Sequence, residues 1–523
     1  MTRALPIVLP TLALTTLLVG CGDSSGDTLA SATGTGLTTG TSPGQTTETT
    51  PTSGQSGGPV TDGSGSDSAT DTASGSSGTS TGAPTTGDPS TGAPTTDATT
   101  GTSTSGVMTT DASTDASSST STGPAEPVCG NGLLEDGEEC DDGNQIDKDA
   151  CSNACTKVPC EEQEGQGVLL SYIWIANSSQ GTVSKINTFT GVEEARYRVE
   201  GGSPSRTSVN LMGDVAVSSR DPGGVTKIAA RLSDCVDLNG NGVIDTSTGP
   251  NDIKPLGQDE CVLWRKPIPS PGYTHGPRAT AWEGTKPDPD TCQYPMPRLW
   301  FGWMDAQNVA HFERVDGATG ETLDTVLFPG WGPGYSPYGG AVNAEGDFFA
   351  TGLSTQPAIM IDSETLQVTN FGIPNGCKYG MTIDASGNLW NGGCNDSSVY
   401  HYDMQTKQWS NIGFAGGSRV NGVMADGAGN VWGAGSNPCR LVHIDANSKT
   451  YINNNIPIPG CSQPWGVSID IEGYVWIVDM TANKAFKIDP ETYQLVLTVS
   501  GLVGPYTYSD MTGAALNAQI NPQ

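Results

Sequence analysis

A loop of alternating Asp and Asn residues is the clearest candidate for chemistry in this sequence. Residues 237–245 read DLNGNGVID, which places oxygen-bearing side chains at alternate positions and Gly242 at the bend. Calcium prefers hard oxygen ligands, and this spacing matches the first nine positions of an EF-hand-like loop. The expected ligands are Asp237, Asn239, Asn241, the carbonyl of Val243, and Asp245. The sequence therefore predicts a structural Ca²⁺ site, with a plain Asx–Gly turn as the alternative.

This loop departs from the EF-hand pattern at its twelfth position. Thr248 stands there in place of the bidentate glutamate. Another carboxylate would have to complete the oxygen shell, and the candidates further along the chain are Asp252, Asp259 and Glu260.

Histidine gives only weak support for acid–base catalysis or for a catalytic metal. The chain has four His, and only His275, in the run YTHGPR that ends at Arg278, is expected to face a channel mouth of the predicted fold. A single His without a second one makes His275 and Arg278 weak catalytic candidates, and a hydrogen-bonded rim residue is the alternative for His275. His401 and His443 share a repeat position with Lys and Arg, which predicts exposed strand positions. The sequence has no Gly-rich phosphate loop, Gly-x-Ser-x-Gly elbow or HExxH motif.

Three aromatic residues stand in a Gly/Pro-rich connection and could bind a ligand. Trp331, Tyr335 and Tyr338 lie within the run FPGWGPGYSPYGG. Exposed aromatic side chains on loops are typical of binding surfaces. The same side chains could instead pack the connection against the fold.

Two repeated turns organise the C-terminal two-thirds of the chain. In the first, an apolar strand is followed by an Asx turn with Gly and another apolar strand; the turns begin at Asn343, Asp384, Asp426 and Asp470, with a period of 41 to 44 residues. The second turn has Thr or Ser three residues after its Asp or Asn; it begins at Asn187, Asp316, Asp362, Asp403, Asp445 and Asp489. Four strands in such a period form one blade of a β-propeller.

The blade count predicts an all-β, seven-bladed β-propeller over residues 167–523. Inner strands begin near residues 203, 275, 337, 378, 420 and 464, and a seventh inner strand is expected at 505–516. Three spare strands at 171–176, 181–187 and 192–197 would complete the last blade. Closure of the ring in this way removes exposed sheet edges.

The repeated GxxxDxxGNxW texture over residues 167–517 resembles the streptogramin lyase-like and NHL-type propellers. The lyase family is understood to use His and Glu near one channel mouth with a divalent metal. The single mouth histidine does not allow those catalytic residues to be assigned to positions of this chain. The resemblance implies the propeller fold. For the function, we expect a non-catalytic module that binds a ligand or a partner. A lyase-like enzyme acting at the channel mouth and a structural spacer of the cell envelope are the alternatives.

The cysteines predict a disulfide-bonded, exported protein. Of thirteen Cys, Cys21 is expected to be lipidated, which leaves an even number. Adjacency predicts pairs within the propeller, and the remaining pair would tie a small N-terminal module to it: Cys235–Cys261, Cys377–Cys394, Cys439–Cys461 and Cys160–Cys292.

The small module spans residues 128–160 and resembles the myxobacterial cysteine-rich repeat of secreted and surface proteins. The resemblance rests on Cys129-Gly-Asn-Gly, Gly137-Glu138, Cys140-Asp-Asp-Gly-Asn, Cys151-Ser and Cys155. A segment this short depends on disulfides for its stability. Its oxygen-bearing side chains could bind Ca²⁺ or form a solvated acidic turn; they are Asp141, Asp142, Asn144, Asp147 and Asp149.

The N-terminus predicts export and lipid anchoring. Residues 1–20 have a short basic start and an apolar stretch, and they end in LVG before Cys21, which resembles a bacterial lipobox. Residues 21–127 are rich in Ser, Thr, Gly and Pro and are expected to form a disordered stalk. The net charge of −32 argues against nucleic-acid binding. The expected location is the cell envelope, at the outer membrane or cell surface, and the expected partner is an extracellular or periplasmic protein or glycan.

Overall fold

Short antiparallel strands dominate the computed structural model, which describes residues 128–141, 143, 151–160, 171–288, 292, 294–373 and 376–521. The expected signal segment, Cys21 and the stalk lie outside the described residues. Among the described residues, the strands form six four-stranded sheets and one three-stranded sheet, each with its strands in chain order. These sheets are the blades of a seven-bladed β-propeller, so the predicted fold class is confirmed.

Blades 1 to 6 follow one another along the chain, each starting with its innermost strand. Their strands are β4 (Pro204–Val209), β5 (Val215–Arg220), β6 (Gly223–Ile228) and β7 (Val262–Ile268) in blade 1; β8 (Thr280–Trp282), β9 (Leu299–Met304), β10 (Ala310–Val315) and β11 (Thr322–Phe328) in blade 2; and β12 (Gly339–Val342), β13 (Phe348–Thr351), β14 (Ala358–Ile361) and β15 (Val368–Asn370) in blade 3. Blade 4 contains β16 (Lys378–Ile383), β17 (Leu389–Gly393), β18 (Ser398–Asp403) and β19 (Gln408–Phe414); blade 5 contains β20 (Arg419–Ala425), β21 (Asn430–Ser436), β22 (Arg440–Asp445) and β23 (Thr450–Pro457); and blade 6 contains β24 (Pro464–Ile469), β25 (Val475–Asp479), β26 (Lys484–Ile488) and β27 (Leu495–Ser500).

Blade 7 joins the two ends of the propeller. Its strands β1 (Tyr172–Asn177), β2 (Thr182–Asn187) and β3 (Glu193–Arg198) come first in the chain, and the segment 505–511 pairs with β1 on the channel side. The backbone NH of Tyr506 donates to Ala176 O at 3.0 Å, and that of Trp174 donates to Met511 O at 2.9 Å. The C-terminal segment therefore closes the ring, as the spare strands predicted.

The seventh inner strand, predicted over residues 505–516, ends earlier than expected. Residues Ala514–Ile520 form helix α1 instead of continuing the strand to 516. The Asp510 carboxylate accepts the backbone NH groups of Gly513 at 2.8 Å and Leu516 at 3.1 Å, which caps the first turn. Gly513 has a φ of 81°, a left-handed conformation that turns the chain out of the strand.

Both predicted turns are present in the blades. In blade 4, Asp384 Oδ1 accepts the NH groups of Ser386 and Asn388 at 2.9 and 3.0 Å, and Gly387 has a φ of 80°. In the second turn of that blade, Asp403 Oδ1 accepts the NH of Thr406 at 2.8 Å. These side-chain oxygens accept backbone NH groups that would otherwise lack a partner where the chain reverses direction. This explains why Asp and Asn recur at a fixed spacing.

A buried layer of carboxylate, indole and cation lies next to the first turn in several blades. In blade 6, Asp470 Oδ2 accepts from Trp476 Nε1 at 2.8 Å and lies 2.9 Å from Lys487 Nζ. Trp476 and Lys487 are cross-strand partners. In blade 3 the same three places hold a neutral set, Asn343, Phe349 and Met360. Blade 6 thus contains both the carboxylate and the cation of this layer, and blade 3 contains neither.

The cysteine-rich module is held by two disulfides of its own and one to the propeller. The pairs are Cys129–Cys155, Cys140–Cys151 and Cys160–Cys292. Asp141 accepts backbone NH groups at 2.8 to 3.1 Å; the donors are Gly130, Asn131, Gly132 and Gly143. Burial raises the pKa of Asp141, but these hydrogen bonds outweigh it and leave the pKa lowered. Asp141 therefore caps a turn, and the other acidic candidates of the module lie outside the described residues.

Candidate functional site

One end of the central channel is covered by helix α1. Gln519 Nε2 donates to the backbone oxygen of Asp384 at 2.9 Å, and Leu516 and Ile520 pack among apolar side chains of blades 1 and 2. A cavity of about 40 Å³ remains beneath the helix, between the inner strands. This end of the channel is consequently too small to admit more than water.

The opposite end, where the inner strands begin, contains a cluster of aromatic side chains that we call the mouth cluster. It consists of Tyr335, Tyr338, Tyr379, Trp465, Tyr506 and Tyr508. The ring of Tyr379 lies 5.3 Å from that of Tyr338, 4.7 Å from Tyr508 and 5.1 Å from Trp465. The hydroxyl of Tyr379 also hydrogen-bonds that of Tyr506. Inner strands from opposite sides of the ring thus supply one continuous aromatic cluster.

Three arginines lie against the mouth cluster. The guanidinium of Arg206 is 2.9 Å from the ring centre of Tyr508, that of Arg220 is 4.6 Å from Tyr506, and that of Arg278 is 5.4 Å from Tyr338. Cation–π contacts of this kind stabilise a guanidinium at an aromatic face. The side chains at the mouth are therefore aromatic and cationic, and all of them are buried except half-buried Tyr335.

The two weak catalytic candidates have structural contacts at this mouth. Arg278 donates to the backbone oxygens of Tyr273 at 2.8 Å and Gly276 at 3.2 Å, so it holds the loop that precedes β8. His275 is half-buried on the same loop, and its Nδ1 lies 2.8 Å from Thr274 Oγ1. This hydrogen-bonded geometry corresponds to the rim-residue alternative for His275.

The aromatic residues expected on an exposed loop are largely buried. Trp331 is 1% exposed, packs against Phe312 with ring centres 5.8 Å apart, and donates to Tyr335 O at 2.9 Å. Tyr338 is fully buried in the mouth cluster, and Tyr335 is half-buried at its edge. The expectation of exposure is therefore wrong for Trp331 and Tyr338, because the connection folds back onto blade 2 and the channel.

The predicted calcium loop brings its side chains together. Asp245 Oδ2 accepts from Asn239 Nδ2 at 2.8 Å and from Asn241 Nδ2 at 3.0 Å. Asp237 accepts the NH groups of Gly240 at 2.6 Å and Gly242 at 2.8 Å; the bond from Gly242 contributes most to lowering the pKa of this carboxyl, against an opposing effect of burial. The amide oxygens of Asn239 and Asn241 accept the backbone NH groups of Asn241 at 3.0 Å and Val243 at 2.8 Å, which is the bonding of an Asx turn.

Of the three carboxylates considered for completing the loop, only Glu260 contacts it. Its Oε1 accepts the NH of Leu238 at 2.9 Å and its Oε2 that of Asp245 at 2.6 Å, so it ties both ends of the loop together. Asp252 instead pairs with Lys254 at 3.6 Å, and Asp259 accepts from Ser247 Oγ at 2.6 Å. The Cys235–Cys261 disulfide closes the base of the insertion.

The other disulfides of the propeller join neighbouring strands at its mouth face. Cys377 pairs with Cys394 in blade 4, and Cys439 pairs with Cys461. Together with Cys160–Cys292, these are the pairs that adjacency suggested.

The expectation that His401 and His443 are exposed is wrong. His401 is fully buried and packs on Trp390 with ring centres 4.5 Å apart, and His443 stacks on Trp432 at 3.9 Å. Lys487 and Arg314 at the same repeat position are buried too, because ion pairs with the buried carboxylates of Asp470 and Glu283 hold them there. A basic residue that recurs at this repeat position therefore indicates a buried ion pair and not an exposed strand position.

Replacing His401 with methionine should reduce the dependence of the free energy of unfolding on pH in the acidic range. Burial, with a smaller contribution from Lys449, lowers the pKa of His401 to about 4. In the unfolded chain a histidine has a pKa of ~6.5. Between pH 6.5 and 4 the unfolded chain therefore binds a proton that buried His401 does not bind. The free energy of unfolding falls as the pH drops through this window, by up to about 1.4 kcal/mol per pH unit. Met360 occupies the same repeat position in blade 3, so methionine fits it. Urea unfolding from pH 7 to 4 measures the change, and an unaltered pH slope in His401→Met would contradict it.

A second concavity lies beside helix α1, between blades 5 and 6. This cleft of about 700 Å³ is bordered by Asp426, Asp470 and His443 among others. His443 Nδ1 is 2.9 Å from the Tyr493 hydroxyl and its Nε2 is 2.9 Å from Asn430 Oδ1. Asp470 is bound to Lys487 and Trp476. These polar groups make hydrogen bonds and ion pairs that stabilise the blades.

The sequence reasoning missed most of the mouth residues. Those not singled out are Arg206, Arg220, Tyr379, Trp465, Tyr506 and Tyr508. Several lie within the first three residues of an inner strand, as Arg206, Tyr379 and Trp465 do. Aligned on the first turn of each blade, Tyr379 and Trp465 share one position, whereas Arg206 aligns with Gly380 and Gly466 and gives no repeat signal.

One family model matches a short part of the chain before the propeller. Residues 118–156 match a family model described as a domain of unknown function, DUF4215. No curated protein matches the sequence.

Several solved structures are similar to this chain at low identity. Virginiamycin B lyase from Staphylococcus aureus is 14% identical with a TM-score of 0.42, over 58% of this chain and 87% of the lyase. A streptogramin B lyase structure is 12% identical with a TM-score of 0.40, over 58% and 86%. A nidogen/laminin complex is similar at 12% identity and a TM-score of 0.37, over 54% and 93%. These likenesses concern the fold alone.

In the part of the chain that the structure describes, no helix has the length and apolar character to cross a membrane.

Proposed function

We propose that this protein is a non-catalytic recognition module that binds a ligand or partner at the mouth of its propeller channel. The observation that carries the proposal is the mouth cluster, where tyrosines and a tryptophan meet three arginines. Tyr, Trp and Arg are the residue types that contribute most at binding sites. Among the described residues, His275 is the single histidine at this mouth, and one histidine gives little support for acid–base chemistry.

The sequence supports display of this module in the cell envelope. The lipobox-like run before Cys21 and the Ser/Thr-rich segment 21–127 fit a lipid-anchored, surface-exposed protein, and the disulfides fit an oxidising compartment. The ligand would then be an extracellular or periplasmic protein or glycan. Fractionation of cells that express Cys21→Ser tests the anchor: we expect loss from the membrane fraction, and full retention would contradict lipidation.

Binding at the mouth is tested with a rim variant and a matched control. The full-length protein in detergent is screened for thermal stabilisation against glycan and peptide panels. Replacing half-buried Tyr335 with alanine should lower the affinity for any ligand found by about tenfold or more, because truncating an aromatic hot spot costs ~2 kcal/mol of binding free energy. Phe189→Ala removes a 52% exposed aromatic ring from a β2–β3 turn at the other face and should leave binding unchanged. Equal loss in both variants, or a turned-over product, would contradict the proposal.

We also propose that the 237–245 loop binds Ca²⁺ and is stabilised by it. The spacing of Asp237, Asn239, Asn241 and Asp245 supports the proposal, and Asn239 and Asn241 both lie within hydrogen-bond distance of Asp245. A ligand present at 100 times its Kd stabilises the folded state by about 2.7 kcal/mol. We expect Ca²⁺ to raise the melting temperature over EDTA, and Asp245→Asn to remove most of that shift.

The control for this experiment is Asp252→Asn. Asp252 lies in the same insertion but pairs with Lys254 outside the loop, so its variant should respond to Ca²⁺ like the wild type. If Asp245→Asn and Asp252→Asn keep the same Ca²⁺ shift, the loop is a plain turn.

A further inference from the structure

The dipeptide Asn-Gly occurs twice in succession in the 237–245 loop. Asn239 precedes Gly240, and Asn241 precedes Gly242. All four residues are exposed, and a Cβ atom built on either glycine would meet nothing within 4 Å beyond its chain neighbours. In an Asn-Gly pair the backbone nitrogen of the glycine can attack the side-chain carbonyl carbon of the asparagine, because no Cβ hinders its approach. The loop therefore presents two reactive pairs to solvent.

The backbone nitrogen atoms of both glycines lie against one carboxylate. Gly240 N donates to Asp237 Oδ1 at 2.6 Å, and Gly242 N donates to Asp237 Oδ2 at 2.8 Å. A carboxylate at this distance can accept the proton that a nitrogen loses when it attacks a carbonyl carbon. Asp237 is thus placed to act as the proton acceptor for both pairs.

The side-chain carbonyl groups of both asparagines accept backbone hydrogen bonds. Asn239 Oδ1 accepts the NH of Asn241 at 3.0 Å, and Asn241 Oδ1 accepts that of Val243 at 2.8 Å. Asp245 Oδ2 accepts from Nδ2 of both side chains at 2.8 and 3.0 Å, which holds the two amides in this orientation. NH groups that bond a carbonyl oxygen stabilise the negative charge that the oxygen gains when its carbon is attacked.

Two other Asn-Gly pairs of the described chain lie in a different setting. Residues 391–392 belong to β17 and residues 421–422 to β20. Asn391 and Asn421 are both fully buried, and each donates through Nδ2 to an atom of a neighbouring blade. A buried strand must open locally before water reaches it. These two pairs therefore serve as internal controls for the loop.

We propose that Asn239 and Asn241 are sites of spontaneous deamidation, with Asp237 as the proton acceptor. The glycine nitrogen forms a bond to Cγ of the preceding asparagine and the Cγ–Nδ2 bond breaks. The proton taken up by Asp237 leaves with the amide nitrogen as ammonia. Water then opens the five-membered imide ring at one of its two carbonyl carbons, which gives aspartate or isoaspartate. Water is the only co-reactant, and nothing is oxidised or reduced.

Each aspartate formed in this way adds a carboxylate to the loop. Conversion of both asparagines to aspartate would give carboxylates at positions 237, 239, 241 and 245, where the sequence has two. Because ligand charge tunes the affinity of such loops for Ca²⁺, Asn239→Asp with Asn241→Asp should lower the Kd for Ca²⁺ by about tenfold or more. This consequence rests on the proposed Ca²⁺ binding, whereas the deamidation does not. An unchanged or higher Kd in a Ca²⁺ titration of the double variant would overturn it.

Peptide mapping by mass spectrometry tests the deamidation directly. The full-length protein in detergent is incubated at neutral pH with EDTA, and samples taken over time are scored for deamidated asparagine and for isoaspartate. We expect positions 239 and 241 to react about tenfold faster, or more, than the buried positions 391 and 421, which must wait for local opening. Equal rates at the four positions, or an unreacted loop, would overturn the inference and leave the Ca²⁺ proposal to its own melting experiment.

A variant of the proton acceptor tests the assigned chemistry. Asp237→Asn should slow deamidation at both loop positions by about tenfold or more, because a positioned proton acceptor contributes at least that much to the rate. Asp252→Asn is the matched control, since Asp252 lies in the same insertion but pairs with Lys254 at 3.6 Å, and its rates should equal those of the wild type. Unchanged or faster deamidation in Asp237→Asn would show that Asp237 orders the loop instead of accepting the proton, and its assigned role would be wrong.

Discussion

Replacing Lys487 with methionine should destabilise the protein by about 3–5 kcal/mol, which is the cost of leaving one member of a buried ion pair alone. Lys487 is 3% exposed, and its Nζ lies 2.9 Å from fully buried Asp470 and 2.8 Å from Glu472. It also donates to Thr188 O of blade 7 at 3.0 Å, so it links the last two blades of the ring. Chemical denaturation followed by tryptophan fluorescence measures the loss.

The chain itself provides the control for this substitution. Blade 3 contains Asn343, Phe349 and Met360 where blade 6 contains Asp470, Trp476 and Lys487. Transferring the neutral set, as Asp470→Asn, Trp476→Phe and Lys487→Met together, removes the buried charge along with its partner. We expect this triple variant to be more stable than Lys487→Met alone. A triple variant at least as unstable as the single one would show that packing, rather than charge, holds this layer.

Removal of residues 503–523 should abolish cooperative folding of the propeller. The segment supplies the inner strand of blade 7 and also contacts both neighbouring blades: Ser509 Oγ hydrogen-bonds Thr207 O of blade 1, and Met511 N donates to Ser468 Oγ of blade 6 at 3.3 Å. Without it, the innermost edges of β1 and of the flanking blades lose their partner. Circular dichroism and size-exclusion chromatography would show an aggregated or non-cooperative chain.

A shorter truncation separates ring closure from the helix. A chain that ends at Gly513 keeps the closing segment but loses helix α1, with its buried Leu516 and Ile520. Loss of buried side chains of this size costs ~2–5 kcal/mol each, so this variant should melt earlier but in one cooperative transition. If both truncated chains unfold alike, closure by residues 505–511 does not control stability.

The sequence was sufficient to predict the propeller because each blade is defined by local turn chemistry. Asp384 with Gly387 and Asp403 with Thr406 fix two reversals per blade through bonds to nearby backbone. The spare strands at one end and the single inner strand at the other then imply closure. Helix α1 escaped prediction because its cap depends on Asp510 turning back onto Gly513 and Leu516, which no repeat in the chain shares.

The mouth was harder to predict, because its residues are distant in sequence. Arg206 meets Tyr338 and Tyr508 only once the ring has closed. Trp331 was assigned to an exposed loop by its Gly/Pro-rich surroundings, yet the indole fills a space beside Phe312. Analogy with Lys and Arg predicts an exposed His401, but the burial of those cations depends on a carboxylate in the first turn of the same blade, as Lys487 and Asp470 show. In each case tertiary contacts override the local pattern.

The most direct measurement of the central claim is hydrogen–deuterium exchange of the full-length protein with and without the ligand found in the panel screen. Binding at the mouth predicts slower exchange in the peptides that cover 273–279, 335–340 and 505–509, where the aromatic and arginine side chains meet. Exchange in helix α1 and in the cleft beside it should not change. Protection confined to that cleft or to the cysteine-rich module, with the mouth peptides unaffected, would contradict the account.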